Sequence, residues 1–214
     1  MNLSEYWSIP QRDPRIFISE AYNSKRRFIS YWHQIHEVVK LNPELVLGIG
    51  TSSGLVSREL KNRGIQIDTM DIDARLNPDI VADILDIPIG DNSYDVLICC
   101  EVLEHIPYYN FSKALSEIRR VTRGYAVISL PDSSWTLRTF IQVPGFDAFY
   151  WILCMMRLRN RAHHFDGKHY WEIAKRDYPL RRIVYDIQDA GFKLEETYRI
   201  FENPIHRFFI LKPH

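Results

Sequence analysis

A chain of 214 residues that is 46% hydrophobic and 13% aromatic can bury one sizeable core, and its length suits a single domain. Lys plus Arg balance Asp plus Glu at 27 each, so no net field draws the chain to nucleic acid, and no nucleic-acid partner is expected. The three cysteines, Cys99, Cys100 and Cys154, offer no CxxC spacing and an odd count, which argues for buried free thiols in a reducing compartment and against a disulfide framework.

The first residues show no charged segment leading into an apolar one, so no secretory signal is expected. The apolar run Ala148–Met156 falls well short of the roughly 20 residues that span a bilayer. The expected location is the cytoplasm. Residues 1–15 are polar, carry Pro10 and Pro14, and read as a loosely structured arm. From Ile16 to Lys40 the spacing of Phe28, Tyr31, Trp32, Ile35, Val38 and Val39 predicts a helix. The adjacent Lys25-Arg26-Arg27 reads as a solvated surface in preference to an anion site. Asn42-Pro43 closes the helix.

The stretch Glu44–Gly54, E-L-V-L-G-I-G-T-S-S-G, organises the rest of the chain. Leu45–Leu47 is a short apolar run, Gly48, Gly50 and Gly54 mark a turn, and Leu55, Val56 and Leu60 share one helical face. Strand, glycine turn and helix bring backbone against nucleotide-like ligands, although an ordinary βα turn has the same pattern. Gly64 stops this helix, and Ile65–Met70 forms a second strand with Asp71-Ile72-Asp73 at its carboxyl end. Only Ala74–Pro78 precedes a third strand, Asp79–Val81, so this crossover is cut short; Asp83-Ile84 comes next. Tyr94–Cys100 is a fourth strand, and Glu101–Pro107 a loop or short helix beyond it. Phe111, Ala114, Leu115, Ile118 and Val121 mark an amphipathic helix with Asn110 as N-cap and Gly124 as stop, leading to a fifth strand, Tyr125–Leu130.

Residues 133–178 break the alternation. They are aromatic and basic, with Trp135, Phe140, Phe146, Phe149, Tyr150 and Trp151 ahead of Arg157, Arg159 and Arg161, and they read as a helical lid. A helix at Leu180–Ala190 and two strands, Phe192–Phe201 and His206–Leu211, close the chain. The expected fold is α/β: a Rossmann-like, doubly wound sheet of seven strands, mostly parallel, with one antiparallel strand in a C-terminal hairpin and a helical lid insertion. It makes one domain over 1–214: an arm and helix (1–43), a cofactor-binding core (44–132), the lid (133–178) and the closing elements (179–214).

A ligand of such a sheet lies across the carboxyl ends of its strands. Asp71 stands 21 residues past Gly50, close to the spacing of about 20 for an acid that accepts ribose hydroxyls. Asp83 suits an exocyclic amine, Ile84 the face of a purine, and Cys100-Glu101 ends the fourth strand. Acids and glycines at successive strand ends point to a nucleoside-type ligand.

The segments V-L-G-I-G-T-S-S-G, T-M-D-I-D and D-I-V-A-D-I-L-D-I-P-I-G-D-N-S-Y-D-V-L-I-C-C-E-V-L-E-H-I-P resemble the class I S-adenosylmethionine-dependent methyltransferases, in particular their small-molecule, type 11-like branch. The resemblance covers about Leu45–Leu130 well and the closing elements more loosely. It implies S-adenosyl-L-methionine as cofactor and S-adenosyl-L-homocysteine as product. It also implies cofactor contacts at Gly48, Gly50, Thr51, Gly54, Asp71, Ile72, Asp83, Ile84, Cys100 and Glu101. The family's acidic-x-G-x-G-x-G motif has Gly48 here at its acidic position and Ser52 at its middle glycine, which removes a charge-assisted contact to the cofactor ammonium worth about 1.5–3 kcal/mol. Ser52 then calls for a φ compatible with a Cβ.

Methyl transfer needs alignment more than proton chemistry, so the absence of a conspicuous catalytic pair is no argument against it. His169 and His105 are the catalytic candidates. His164, His169, Trp171 and Glu172, in the run H-H-F-D-G-K-H-Y-W-E, are the substrate-contact candidates, and no metal ligand is assigned, since nothing completes a recognised metal motif. The expected acceptor is a small molecule or glycan. The Phe146–Met156 stretch also suits a membrane surface, but packing inside a helical cap is the preferred reading. Two other functions compete: a catalytically weakened or non-catalytic cofactor-binding module, and an NAD-dependent dehydrogenase, whose third fingerprint glycine is replaced by Ser53.

Overall fold

The computed structural model describes residues 13–155 and 162–214. Most of the N-terminal arm (1–12), and Arg157, Arg159 and Arg161 of the expected lid, lie outside the described residues. After a short 3-10 turn, α1 (Lys25–Leu41) leads to β1 (Leu45–Ile49), α2 (Leu55–Asn62) and β2 (Gln66–Asp71). Next come β3 (Ile80–Val81), β4 (Tyr94–Cys100), α3 (Phe111–Val121), β5 (Thr122–Pro131), β6 (Trp135–Ile141) and β7 (Phe149–Met155). α4 (Leu180–Asp189), β8 (Phe192–Arg199) and β9 (His206–Pro213) complete the chain.

The main sheet has seven strands in the order β3-β2-β1-β4-β5-β9-β8. Neighbouring strands from β3 through β5 pair in parallel, while β9 runs antiparallel to both β5 and β8. The expected terminal hairpin is thus present, with its second strand threaded between β5 and the first. Strand order reverses between β1 and β4, which opens a crevice at their carboxyl ends. One core layer packs Phe111, Leu115, Ile118, Ile183 and Ile187 against the sheet; the other packs Val38 and Leu60 against its opposite face.

Several local expectations are corrected. The helix expected from Ile16 starts only at Lys25, and its C-terminus is Asn42 in the left-handed region, φ 49°. Phe28, Trp32 and Val39 stay exposed while Tyr31 and Val38 are buried, so the buried stripe is narrower than the apolar spacing implied. Asn110 makes no capping bond from its side chain. Gly124 is not a helix stop: α3 ends at Val121 and Gly124 sits within β5, where a Cβ would lie 2.4 Å from the Asp95 carbonyl oxygen. Cys154 is exposed, unlike Cys99.

The largest correction concerns 133–178. No helix occurs there among the described residues. β6 and β7 form a separate two-stranded antiparallel hairpin that leaves Trp135, Phe140, Phe149, Tyr150 and Trp151 exposed. A helical stripe needs period 3.6, whereas this run alternates poorly and buries neither face, so its aromatic content alone did not distinguish helix from strand. No helix among the described residues is long and apolar enough to cross a membrane.

The hairpin is anchored at its base by a buried ion pair. Asp132, 2% exposed, accepts from Arg207 Nε at 2.7 Å and lies 3.6 Å from Arg199 Nη1. Arg199 also donates to the carbonyls of Asp132 and Ser134, at 3.1 and 3.2 Å.

Candidate active site

The crevice at the sheet reversal opens into a cleft of about 780 Å³, within the roughly 300–1,000 Å³ usual for small-molecule sites. Its floor is the β1–α2 turn. Gly50 takes φ 83° and donates its N–H to the Met70 carbonyl at 2.9 Å, which ties the turn to β2. A Cβ at Gly50 would lie 2.5 Å from Val102 Cγ2. Ser52 takes a left-handed conformation, φ 48°, where a φ that readily accommodates a Cβ was expected. That costs roughly 1–2 kcal/mol; its hydroxyl lies 3.4 Å from Tyr22 Oη and 3.5 Å from Tyr31 Oη. Ser53 Oγ is buried on the wall with no hydrogen-bond partner.

Asp71 ends β2 on the same wall. Its Oδ2 accepts from Thr51 N and Oγ1 at 2.9 and 3.1 Å, and its Oδ1 from Asp73 N at 3.0 Å. A carboxylate offers about four acceptor positions, so one on Oδ1 remains, and rotation of the Thr51 hydroxyl frees a second. Asp83 accepts from Leu85 N at 2.9 Å through one oxygen. Ile84 is buried, and Ile72 is exposed at the cleft edge.

Gly48 lies within β1 on the wall, where a Cβ would come 3.3 Å from Ile67 Cδ1. Gly54 is off the wall: it sits at φ 68° before the first turn of α2, where a Cβ would meet Arg58. Cys100 and Glu101 line the cleft. Burial pushes the Cys100 thiol up, so it stays neutral and is no nucleophile. Glu101 holds φ 56°, a strained conformation of the kind that concentrates at sites. It accepts from Ser129 Oγ at 2.9 Å and lies 3.5 Å from His206 Nε2, whose ring burial keeps neutral.

Residues 162–178 supply a further wall. His105, His169 and Glu172 meet there: His169 Nδ1 lies 3.0 Å from Glu172 Oε1, and the two imidazole rings are 5.2 Å apart. The hydrogen bond from His169 holds the Glu172 carboxyl down at about 2 against the effect of burial. Two substrate candidates are not part of this wall. Trp171 is fully buried among Tyr108, Phe111 and Tyr178 and donates its indole N–H to the Ile106 carbonyl at 3.1 Å. His164 is exposed and outside the cleft lining.

The N-terminal rim is built by residues outside the strand-end motifs described above. Phe17, Tyr22, Arg27, Tyr31 and Gln34 all face the cleft. Arg27 is no solvated surface residue: its guanidinium sits 4.0 Å over the Tyr22 ring and donates to Tyr22 Oη at 3.1 Å. Asp132, Ser133, Ile205 and His206 complete the opposite end of the chain's contribution. We expect Gly50→Ala to weaken binding of the cleft's ligand at least ~10-fold, since positive φ and the Val102 contact both oppose the new methyl. Calorimetric titration checks this, with Gly50→Ala/Val102→Ala recovering part of the loss; undiminished affinity in the single variant would rule out a cradle at Gly50.

Residues 47–128 match a methyltransferase domain family. A segment of 45 residues, 21% of the chain, is 48% identical to an uncharacterized protein of Methanocaldococcus jannaschii; the match spans 19% of that relative's length. Among solved structures, Burkholderia thailandensis 1,6-didemethyltoxoflavin-N1-methyltransferase, with bound 1,6-didemethyltoxoflavin and S-adenosylhomocysteine, is similar over 100% of this chain and 91% of its own, with a TM-score of 0.63 and 14% identity. The glycopeptide N-methyltransferase MtfA, complexed with S-adenosyl-L-homocysteine, is similar over 85% and 89% of the two chains, with a TM-score of 0.57 and 9% identity. At these identities the likeness to solved structures is one of fold.

Proposed function

Because this chain carries a class I S-adenosylmethionine-dependent methyltransferase domain, we propose that it transfers a methyl group from S-adenosylmethionine to a small-molecule or glycan-type acceptor. The observation that carries the reading is the Asp71 carboxylate, held against the glycine turn by Thr51 at the sheet reversal. The residues present fit the cofactor. Gly50 leaves a cradle a Cβ would fill, and Ser53 Oγ is a buried hydroxyl without a partner that can donate to a carboxylate. Bound there, the cofactor supplies an electrophilic methyl on a sulfonium, set up for in-line displacement.

The cleft residues then divide the work. Asp71 accepts from the ribose hydroxyls. Asp83 accepts from the adenine amine, between the aliphatic faces of Ile72 and Ile84. Gly50, Thr51 and Ser53 meet the methionine portion, with Cys100 and Glu101 nearby. His105, His169 and Glu172 face the acceptor. Arg27 and Tyr22 cover the cleft and keep water from it. The Burkholderia enzyme is named for 1,6-didemethyltoxoflavin and MtfA for a glycopeptide, and a small-molecule acceptor agrees with a cleft of this size.

One observation favours a second reading, cofactor binding without turnover: Gly48 leaves the cofactor's ammonium without the family's carboxylate. Titration with S-adenosylmethionine, S-adenosylhomocysteine and NAD separates the readings. We expect saturable binding of the first two and none of NAD. Failure of both to bind a folded protein overturns the proposal, and binding without methyl transfer from labelled cofactor into any fraction of a cell extract favours the second reading.

A further inference from the structure

The cleft wall contains a buried carboxylate that the cofactor reading does not use. Glu104 lies in the 3-10 turn Leu103–His105 just beyond β4, is fully buried, and neither carboxylate oxygen has a hydrogen-bond partner. A buried carboxylate is retained at such cost where a cation or proton meets it.

Two imidazoles stand beside it. His105 Nε2 is 4.0 Å from Glu104 Oε1, while its Nδ1 is 2.8 Å from the Lys168 carbonyl. A carbonyl only accepts, so Nδ1 carries a hydrogen, and in the neutral ring Nε2 keeps the lone pair. His169 repeats the arrangement. Its Nδ1 donates to the Glu172 carboxylate, which is itself fixed by Ser133 Oγ and by Lys175 Nζ at 3.4 Å. Such carboxylate and carbonyl partners fix the tautomer and orient histidines that ligate metals. One donor atom from each of Glu104, His105 and His169 lies within 4.8 Å of the others.

We propose that Glu104, His105 and His169 bind a divalent first-row transition-metal ion at the acceptor end of the cleft. Two imidazoles and one carboxylate suit zinc, manganese, cobalt or ferrous iron. Three protein donors leave coordination positions open. Resting on the methyltransferase reading, the ion would hold an oxygen of the acceptor, which narrows the acceptor class to molecules with a hydroxyl or carboxylate donor. The neighbouring group Asp166, His169 and Glu172 is equally close but less suited. Asp166 Oδ1 already accepts from Lys168 N and His169 N, at 2.9 and 2.8 Å, and Glu172 is occupied by Ser133 and Lys175.

The test is titration of chelator-treated protein with cobalt(II), followed by its visible d–d absorption, and with zinc(II) by calorimetry. One equivalent should bind and raise Tm. Glu104→Gln, which keeps the side chain's size, and His169→Ala should each weaken binding by at least the 10–100-fold typical of losing an orienting partner, with no metal-dependent rise in Tm. Glu172→Gln should weaken it within that range, and Asp166→Asn should leave it unchanged. Absence of cobalt bands, or equal affinity in Glu104→Gln and the parent, overturns the site. Asp71→Ala keeps the cobalt spectrum while losing cofactor binding, so failure of the metal site and failure of the cofactor reading are read separately.

Discussion

Asp71→Ala is expected to raise the Kd for S-adenosylmethionine and S-adenosylhomocysteine about 100-fold, while Tm stays within about 2 °C of the parent. Hydrogen bonds to a charged group contribute about 1.5–3 kcal/mol each, and one such contact to a ribose hydroxyl plus a share of a second reaches the roughly 2.7 kcal/mol that 100-fold requires. The side chain is half-buried and ends a strand rather than filling the core, so its removal leaves the sheet intact. Its bonds to Thr51 introduce a second effect, because alanine also releases the turn. Two further variants separate the contributions. Thr51→Val removes only the hydroxyl that competes for Oδ2, and should change affinity by no more than about threefold. Asp71→Asn keeps one acceptor oxygen, and should fall between parent and alanine. Isothermal titration of the three variants decides the matter; equal affinity in Asp71→Ala and the parent would place the ribose elsewhere.

Asp132→Ala should lower the unfolding free energy by about 3–5 kcal/mol, the usual result of removing one partner from a buried ion pair. Arg199 and Arg207, each 8% exposed, would be left facing an uncompensated interior. At this chain length that loss corresponds to a Tm lower by roughly 6–20 °C. Asp132→Asn retains acceptor geometry and should cost less. The same residue predicts acid lability. Burial by itself would raise the Asp132 carboxyl, but bonds from Ser134 and Arg207 and the field of Arg199 outweigh it and hold the group below its ordinary value. A carboxyl with a depressed folded value contributes stability above the ordinary carboxylate range and loses it as pH falls through the folded value. Denaturant unfolding at neutral and acid pH checks both points. A drop under 1 kcal/mol at neutral pH would show that the arginines find other partners, and an Asp132→Ala penalty that persists undiminished at low pH would contradict the linkage.

The half of the cleft built from strand ends was readable in the sequence because its parts recur at those ends. Gly50, Asp71, Asp83 and Glu101 each come after an apolar run, and parallel strands bring such positions to one edge. The opposite rim was not readable in the same way. Tyr22, Arg27, Tyr31 and Gln34 reach the cleft from a segment that precedes the first strand, and no local period ties them to it. A signal did exist: Arg27, Tyr31 and Gln34 form a polar stripe at helical spacing, and Tyr31 and Gln34 are buried. Trp171 misled for the converse reason. It sits between two true cleft residues in sequence, His169 and Glu172, but points into the core against Phe111. The β6–β7 hairpin was misread because residues exposed on both faces carry neither of the periods that identify a helix or a strand.

The position of β9 also sets an order of events. It follows β8 along the chain and is the last of the described strands, yet it lies inside the sheet and bonds to β5 and β8 at once. Before residues 206–213 arrive, β5 is a bare edge and β8 has no neighbour to pair with. Partners some 75 residues apart, such as Asp132 and Arg207, must then find each other across the whole insertion. Chains dominated by such distant pairings fold slowly, and an open parallel edge held during that interval is a template for pairing with another chain. The nascent protein can shape its glycine turn and the β1–β4 crevice early, but its sheet closes only with its final strand.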